Sequence, residues 1–160
     1  MTVKITPRVF YLACAALVFA ADQATKQWAV AELSARGTVA AAPFLNWTLV
    51  YNPGAAFGLL SDAGGWQTVL FATVAAAVSA LVVFLLWKMQ PGQPARAAGL
   101  CLILGGAMGN LSDRVFIGAV VDFVDLHYRG FHWPAFNIAD AAISCGVFLL
   151  VFTMLHERVK

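Results

Sequence analysis

The sequence predicts an all-α membrane protein, a four-transmembrane-helix bundle with short strands in the connections at one end. Three observations predict it. Of 160 residues, 61% are apolar before the 13 glycines are counted, whereas soluble domains reach about 45–50% with glycine included. Charged side chains make up only 11%, against about 25% in a soluble domain. The apolar residues also gather into four runs, each close to the roughly 20 residues that cross about 30 Å of hydrocarbon. Backbone groups in lipid must pair within their own segment, so such runs are expected to be helices. The same figures exclude a soluble globular protein, a disordered chain and a nucleic-acid-binding face. A formal net charge of +2, from 10 basic and 8 acidic residues, builds no polyanion site.

The first run, residues 9–28, carries Asp22 and Lys26 near its end. Lys4 and Arg8 before it and Ala20-Ala21 within it resemble a cleavable signal peptide. In a chain with further spans it is expected to stay as an anchor. The second run, 66–87, is free of charge. The third, 97–115, ends on Asp113 and Arg114, and the fourth, 138–155, opens with Asp140. Residues 29–65 and 116–137 form the two longer connections. Within the first, Phe44 to Asn52 is rich in aromatic and β-branched residues and is bounded by Pro43 and Pro53-Gly54, so it reads as a strand or hairpin on the membrane surface. Val120 to Leu126 reads similarly. No repeat or long linker divides the chain, and residues 1–160 are expected to form a single domain.

Six of the ten Lys and Arg, namely Lys4, Arg8, Lys88, Arg96, Arg158 and Lys160, fall on one side of the four spans. The positive-inside rule makes that side cytoplasmic, with both termini on it. Trp28, Trp66 and Trp133 at the outer boundary and Trp87 at the inner one fit an aromatic belt. Asp22, Asp113, Asp122 and Asp140 then cluster at the outer boundary, with Lys26, Asn110, Arg114 and Asn137 among them. Any chemistry is expected there.

Asp122 and Asp140 are 18 apart, too far for one helix face, but one lies in the connection after the third span and the other opens the fourth. A carboxylate at the edge of hydrocarbon needs a partner. Two close carboxylates resist ionising together, which sets one up as a base for water and the other as an acid for a leaving amine. The bland alternative is a helix cap at Asp140 and an exposed loop residue at Asp122, with Asp125 a similar carboxylate nearby. Asn137 already offers the cap, which weakens that alternative for Asp140.

Asp22 and Lys26 share a helix face, and spacing alone favours an interfacial ion pair. Asn110, Asp113 and Arg114 share a face of the third run, and an inward network is expected of them. Gly105 and Gly109 form a GxxxG, read as helix packing. The turn from Asn52 to Gly58 is either a loop entering the interface or a peptide-binding element, and spacing leaves both open. Cys14, Cys101 and Cys145 lie within apolar runs and read as small buried residues. The histidines show no HExxH spacing, no serine sits in a GxSxG, and no phosphate loop follows a strand. A transporter or proton-relay subunit is the rival class, because intramembrane carboxylates also mark ion paths; the cytoplasmic half offers few relay groups.

Five stretches together resemble the lipoprotein signal peptidase (signal peptidase II) family: Asp22-Gln23-Ala24-Thr25-Lys26, Asn52-Pro53-Gly54-Ala55-Ala56-Phe57, Gly105 to Arg114, Val121-Asp122-Phe123 and Phe136-Asn137-Ile138-Ala139-Asp140. They occur in order through nearly the whole chain. The resemblance implies four spans with a small extracytoplasmic β-cradle and a mobile amphipathic element, for both of which residues 38–60 are the candidate region. It implies an aspartic endopeptidase of the bacterial plasma membrane that cuts prolipoproteins before a diacylglyceryl-modified cysteine. On that resemblance Asp122 and Asp140 are the catalytic pair. Asp22, Lys26, Asn52, Gly54, Asn110, Asp113, Arg114 and Asn137 take the supporting, substrate-binding positions. Water attack assisted by the two aspartates is expected, with no metal, cofactor or obligate protein partner, and the pair should titrate together.

Overall fold

From Pro7 to Arg36 no glycine interrupts a stretch rich in Ala, Leu and other helix formers, and the whole of it is one helix, α1. The structure, a computed structural model, describes residues 7–54, 60, 64–90 and 92–158. Lys4, Lys160 and residues 55–58 of the turn lie outside the described residues. Residues 29–36, expected in a connection, are therefore helical. Their apolar side contributes Ala29 and Leu33 to a core that includes Phe123. The helix stops at Gly37, whose φ of +68° glycine adopts without the strain a Cβ brings and whose N–H donates to the Leu33 carbonyl at 2.8 Å, a left-handed C-terminal cap.

The remaining elements are β1 (Val39–Ala42), β2 (Leu45–Asn52), α2 (Trp66–Lys88), α3 (Pro94–Phe116), β3 (Val120–Tyr128), β4 (Phe131–His132) and α4 (Ile138–Arg158). The strands form an antiparallel sheet in the order β1-β2-β3-β4. The stretches expected as surface strands are thus β2 and β3, paired with each other. The two-residue β4 carried no period for the sequence to reveal. One face of the sheet lies on the extended end of α1. Trp28, Trp47 and Phe123 form a ring cluster with centroids 5.6–6.3 Å apart. Phe123→Leu should cost about 1–2 kcal/mol, because it removes buried apolar volume and leaves a small cavity, read as a lowered thermal midpoint in detergent.

Among the described residues three helices are long and apolar enough to cross a membrane, Arg8–Arg36, Trp66–Lys88 and Ile138–His156. The expected third span, α3, is a helix of 23 residues but is not among them. It carries Arg96, Asn110, Asp113 and Arg114 and occupies the bundle centre, buried from Ala97 to Asp113 along one broad face. Gly105 packs on Ala15 and Val18 of α1, and Gly106 packs on Ala139 and Ile143 of α4. The expected role of this glycine stretch in helix packing therefore holds on two sides of α3.

Burial is reversed relative to a water-soluble protein. Asp22, Lys26, Asp113 and Asn137 are at most 2% exposed, whereas Val69, Leu17 and Phe148 are 69%, 70% and 71% exposed. Lipid is the solvent that makes this arrangement favourable. Of the cysteines, Cys101 is buried, with its thiol donating to the Tyr11 carbonyl at 3.1 Å, and Cys14 is half-buried. Cys145 is exposed, contrary to expectation, because it lies on the side of α4 that borders a cavity.

Candidate active site

The site begins with the way α4 starts. Asn137 precedes the helix, and its side-chain oxygen accepts the Asp140 N–H at 2.9 Å. The Asp140 Oδ2 accepts the Asn137 N–H at 3.3 Å. This reciprocal pair is a capping box, so Asp140 does take part in capping. One oxygen suffices for that. The other, Oδ1, accepts the Asn110 amide at 2.8 Å, and Asp140 lines a cavity.

Strand pairing brings the second carboxylate in. Val50 lies opposite Asp122 and Asn52 opposite Val120 in the β2–β3 register, which places the Asn52 side chain over Asp122. Asn52 Nδ2 donates to Asp122 Oδ2 at 3.1 Å, and Asn137 Nδ2 donates to Asp122 Oδ1 at 2.7 Å. Asn137 therefore ties the two aspartates together, gripping Asp122 with its amide while capping Asp140 with its oxygen.

Both carboxylates line one cavity of about 460 Å³ at the sheet end of the bundle. Asn52, Asn110 and Arg114 supply its other polar groups. Its apolar wall comes from Trp133 to Phe136 and from Ile143 one turn down α4. Asp122 is 2% exposed. Burial raises its carboxyl to about 7, and the charge of Asp140 adds to the rise, against the hydrogen bonds from Asn52 and Asn137. A carboxyl that keeps its proton near neutrality beside a second carboxylate is the arrangement needed for one acid and one base in the same site.

Behind the cavity lies a buried network. Lys26 Nζ is 2.8 Å from Asp22 Oδ2 and 2.8 Å from Asp113 Oδ2, and donates to Asn110 Oδ1 at 2.9 Å. Asp22 Oδ1 accepts the Ala139 N–H at 2.9 Å, and Asp113 Oδ2 accepts the Val121 N–H at 3.1 Å. The network thus holds the residues next to both aspartates. The Asp22–Lys26 pair expected at the interface is instead fully interior. Arg114 reaches across to the Gly54 carbonyl at 2.8 Å and lies 5.5 Å from the Phe71 ring. The Gly54 N–H in turn donates to Asn52 Oδ1 at 3.0 Å, so Arg114 steadies the turn that presents Asn52.

All ten candidate residues therefore converge on the cavity or on the network behind it. Asp125, the similar carboxylate on β3, does not. It accepts Asn46 at 2.8 Å and pairs with His132 Nδ1 at 2.8 Å. Sequence reasoning passed over Gln23, whose amide donates to Asp113 Oδ1 at 3.0 Å and to Asp22 Oδ2 at 3.2 Å. It sits beside Asp22, but the spacing pointed to Lys26 alone. It also passed over the wall of Trp133, Pro134, Ala135 and Phe136, which lacks any periodic signal; the isolated bridge between Val124 and Phe136 is a long-range pairing.

A family profile described as signal peptidase (SPase) II matches residues 14–156. The chain is 47% identical over 142 residues to a lipoprotein signal peptidase of Cellvibrio japonicus, covering 89% of this chain and 84% of that one. It is 48% identical over 153 residues to a lipoprotein signal peptidase of Acinetobacter baumannii, covering 95% and 87%. A solved structure described as a bacterial membrane enzyme determined by the in meso method superposes with a TM-score of 0.81 at 31% identity, covering 93% of this chain and 89% of the other. A family match over most of the chain, together with relatives near half identity, leads to one conclusion: this membrane-embedded chain belongs to the signal peptidase II family of proteases.

Proposed function

We propose that the chain removes the signal peptide from bacterial prolipoproteins, hydrolysing the bond before a diacylglyceryl-modified cysteine with Asp122 and Asp140 as its catalytic residues. The observation that carries this reading is the shared cavity: two carboxylates from separate elements face it, one of them buried with its carboxyl raised to about 7. The relatives' printed name, lipoprotein signal peptidase, supports the substrate class.

In the reaction, the ionised carboxyl takes a proton from water as the water oxygen bonds to the scissile carbonyl carbon. The protonated carboxyl gives its proton to the carbonyl oxygen, and a tetrahedral gem-diol forms. Collapse breaks the carbon–nitrogen bond as the amine leaves with a proton. The products are the signal peptide carboxylate and the free amino group of the lipidated cysteine. No enzyme atom bonds to substrate. Asn52, Asn137 and Asn110 hold the carboxyls in place, as pre-organised donors do in other hydrolytic sites.

The same reading sets the protein in the plasma membrane with both termini cytoplasmic, α3 as the fourth span and the sheet outside. Lys88 and Arg96 at the end opposite the sheet support that orientation. It puts the carboxylates at the outer leaflet boundary, where the scissile bond of a lipidated, membrane-anchored precursor would lie. One integral peptidase domain over residues 1–160 completes it.

The test is incubation of the pure protein in detergent with a diacylglyceryl-modified prolipoprotein. Release of the signal peptide is expected, and a bound but uncut precursor would refute the reading. The pH dependence is set by the pair. One proton between the two carboxyls is the active state. Above about pH 7 that proton is lost from Asp122 and the acid is gone; in acid the base is protonated as well. A plot of kcat/KM against pH should therefore be bell-shaped with its alkaline limb near 7. A flat profile from pH 6 to about 9 would exclude a shared proton.

A further inference from the structure

The three asparagines of the site all present nitrogen, not oxygen, to the aspartates. Each can do so only because something else occupies its oxygen. Asn52 Oδ1 accepts the Gly54 N–H at 3.0 Å, and Asn137 Oδ1 accepts the Asp140 N–H at 2.9 Å; both are local backbone donors. Asn110 differs. Its Oδ1 is held by the ammonium of Lys26 at 2.9 Å, with a longer contact from Asn137 Nδ2 at 3.3 Å, while its Nδ2 donates to Asp140 Oδ1 at 2.8 Å.

We propose that Lys26 is a positioning residue for hydrolysis, acting through Asn110 on Asp140. The proposal rests on the catalytic reading of Asp140. A primary amide turned by 180° has nearly the same shape, so packing alone does not choose its orientation. Charge does. Turning Asn110 would aim its NH₂ at the Lys26 ammonium and its oxygen at the Asp140 carboxylate, two repulsive contacts at once. The ammonium is itself aimed. Its three protons meet Asp22, Asp113 and Asn110, and it is 2% exposed. Gly109 leaves the space this needs, since a Cβ there would run into the Asp22 carboxylate. Holding helices together does not require such a group, because a buried ion cluster is often matched in stability by apolar residues of the same volume. What apolar residues cannot do is orient an amide.

Lys26→Met tests this on the purified full chain cleaving a lipidated prolipoprotein. The kcat of the folded enzyme should fall about 10- to 100-fold, the worth of one hydrogen bond to a charged group, with KM within about twofold. Asn110→Leu should lose at least as much, and adding Lys26→Met to it should lose nothing further. If Lys26→Met does not fold because two aspartates are left unpaired, the neutral triple variant Asp22→Asn/Lys26→Met/Asp113→Asn replaces it, with the same kcat loss expected. Unchanged kcat per folded molecule, or losses that multiply in the double variant, would overturn the proposal. Asp140→Asn separates the two levels. If that variant still cleaves, the catalytic reading fails; if it is inactive while the Lys26 variants are fully active, only the positioning role fails.

Discussion

Asp122→Asn and Asp140→Asn are each expected to abolish cleavage of a lipidated prolipoprotein while the protein still inserts and folds. Removing a general acid or base costs about 100- to 10,000-fold, and a water-activating pair loses its function when either member goes. The fold should survive because each carboxylate is held at both oxygens by donors from several elements. Replacing one oxygen with an NH₂ leaves one of those donors facing another donor, at about 1–3 kcal/mol. Detergent-solubilised variants should show native-like circular dichroism with no released signal peptide. Near-normal cleavage by either variant would remove that aspartate from the chemistry.

The second large effect is expected at a glycine. A Cβ on Gly106 would lie 2.5 Å from the Ala139 carbonyl oxygen and 2.8 Å from Ile143 Cγ1. The first of these is backbone, so α3 and α4 must separate. Ala139 immediately precedes Asp140, and its N–H is tied to Asp22. The displacement therefore falls on Asp140, one of the two proposed catalytic residues. Gly106→Ala should destabilise the protein by about 1–3 kcal/mol, as overpacking does. It should also lower kcat about 100-fold, the order expected when a reacting group moves by roughly 1 Å. Thermal unfolding and steady-state cleavage measure the two effects separately. A variant with wild-type kcat would show that the α3–α4 spacing does not set the position of Asp140.

Much of this arrangement was legible because lipid simplifies the reading. Four apolar runs mark four helices, and polar residues inside them must find one another, so Asp22, Lys26, Asn110 and Asp113 could be expected to meet. The pairing of Asp122 with Asp140 on one cavity followed from their places, one in the connection after the third run and the other opening the fourth. What was not legible depended on contacts distant in sequence. The end of α1 was set too early, because its apolar run ends near Trp28 while burial of Ala29 and Leu33 under the sheet carries the helix to Arg36. Cys145 sits in an apolar run like the other cysteines, and only the cavity beside α4 distinguishes it. The low hydropathy of the centre of the bundle has the same origin. Helix α3 is shielded by its neighbours, so it can carry the polar side chains that the site needs.

Infrared difference spectroscopy across about pH 5 to 9 tests the central claim most directly, because it counts protonated carboxyl groups in the intact enzyme. The account predicts one carboxylic acid band that disappears with a midpoint near 7, is absent in Asp122→Asn, and moves to lower pH in Asp140→Asn, where the neighbouring charge is gone. A wild-type spectrum with no titrating carboxylic acid in that range, or a band that persists unchanged in both variants, would contradict it.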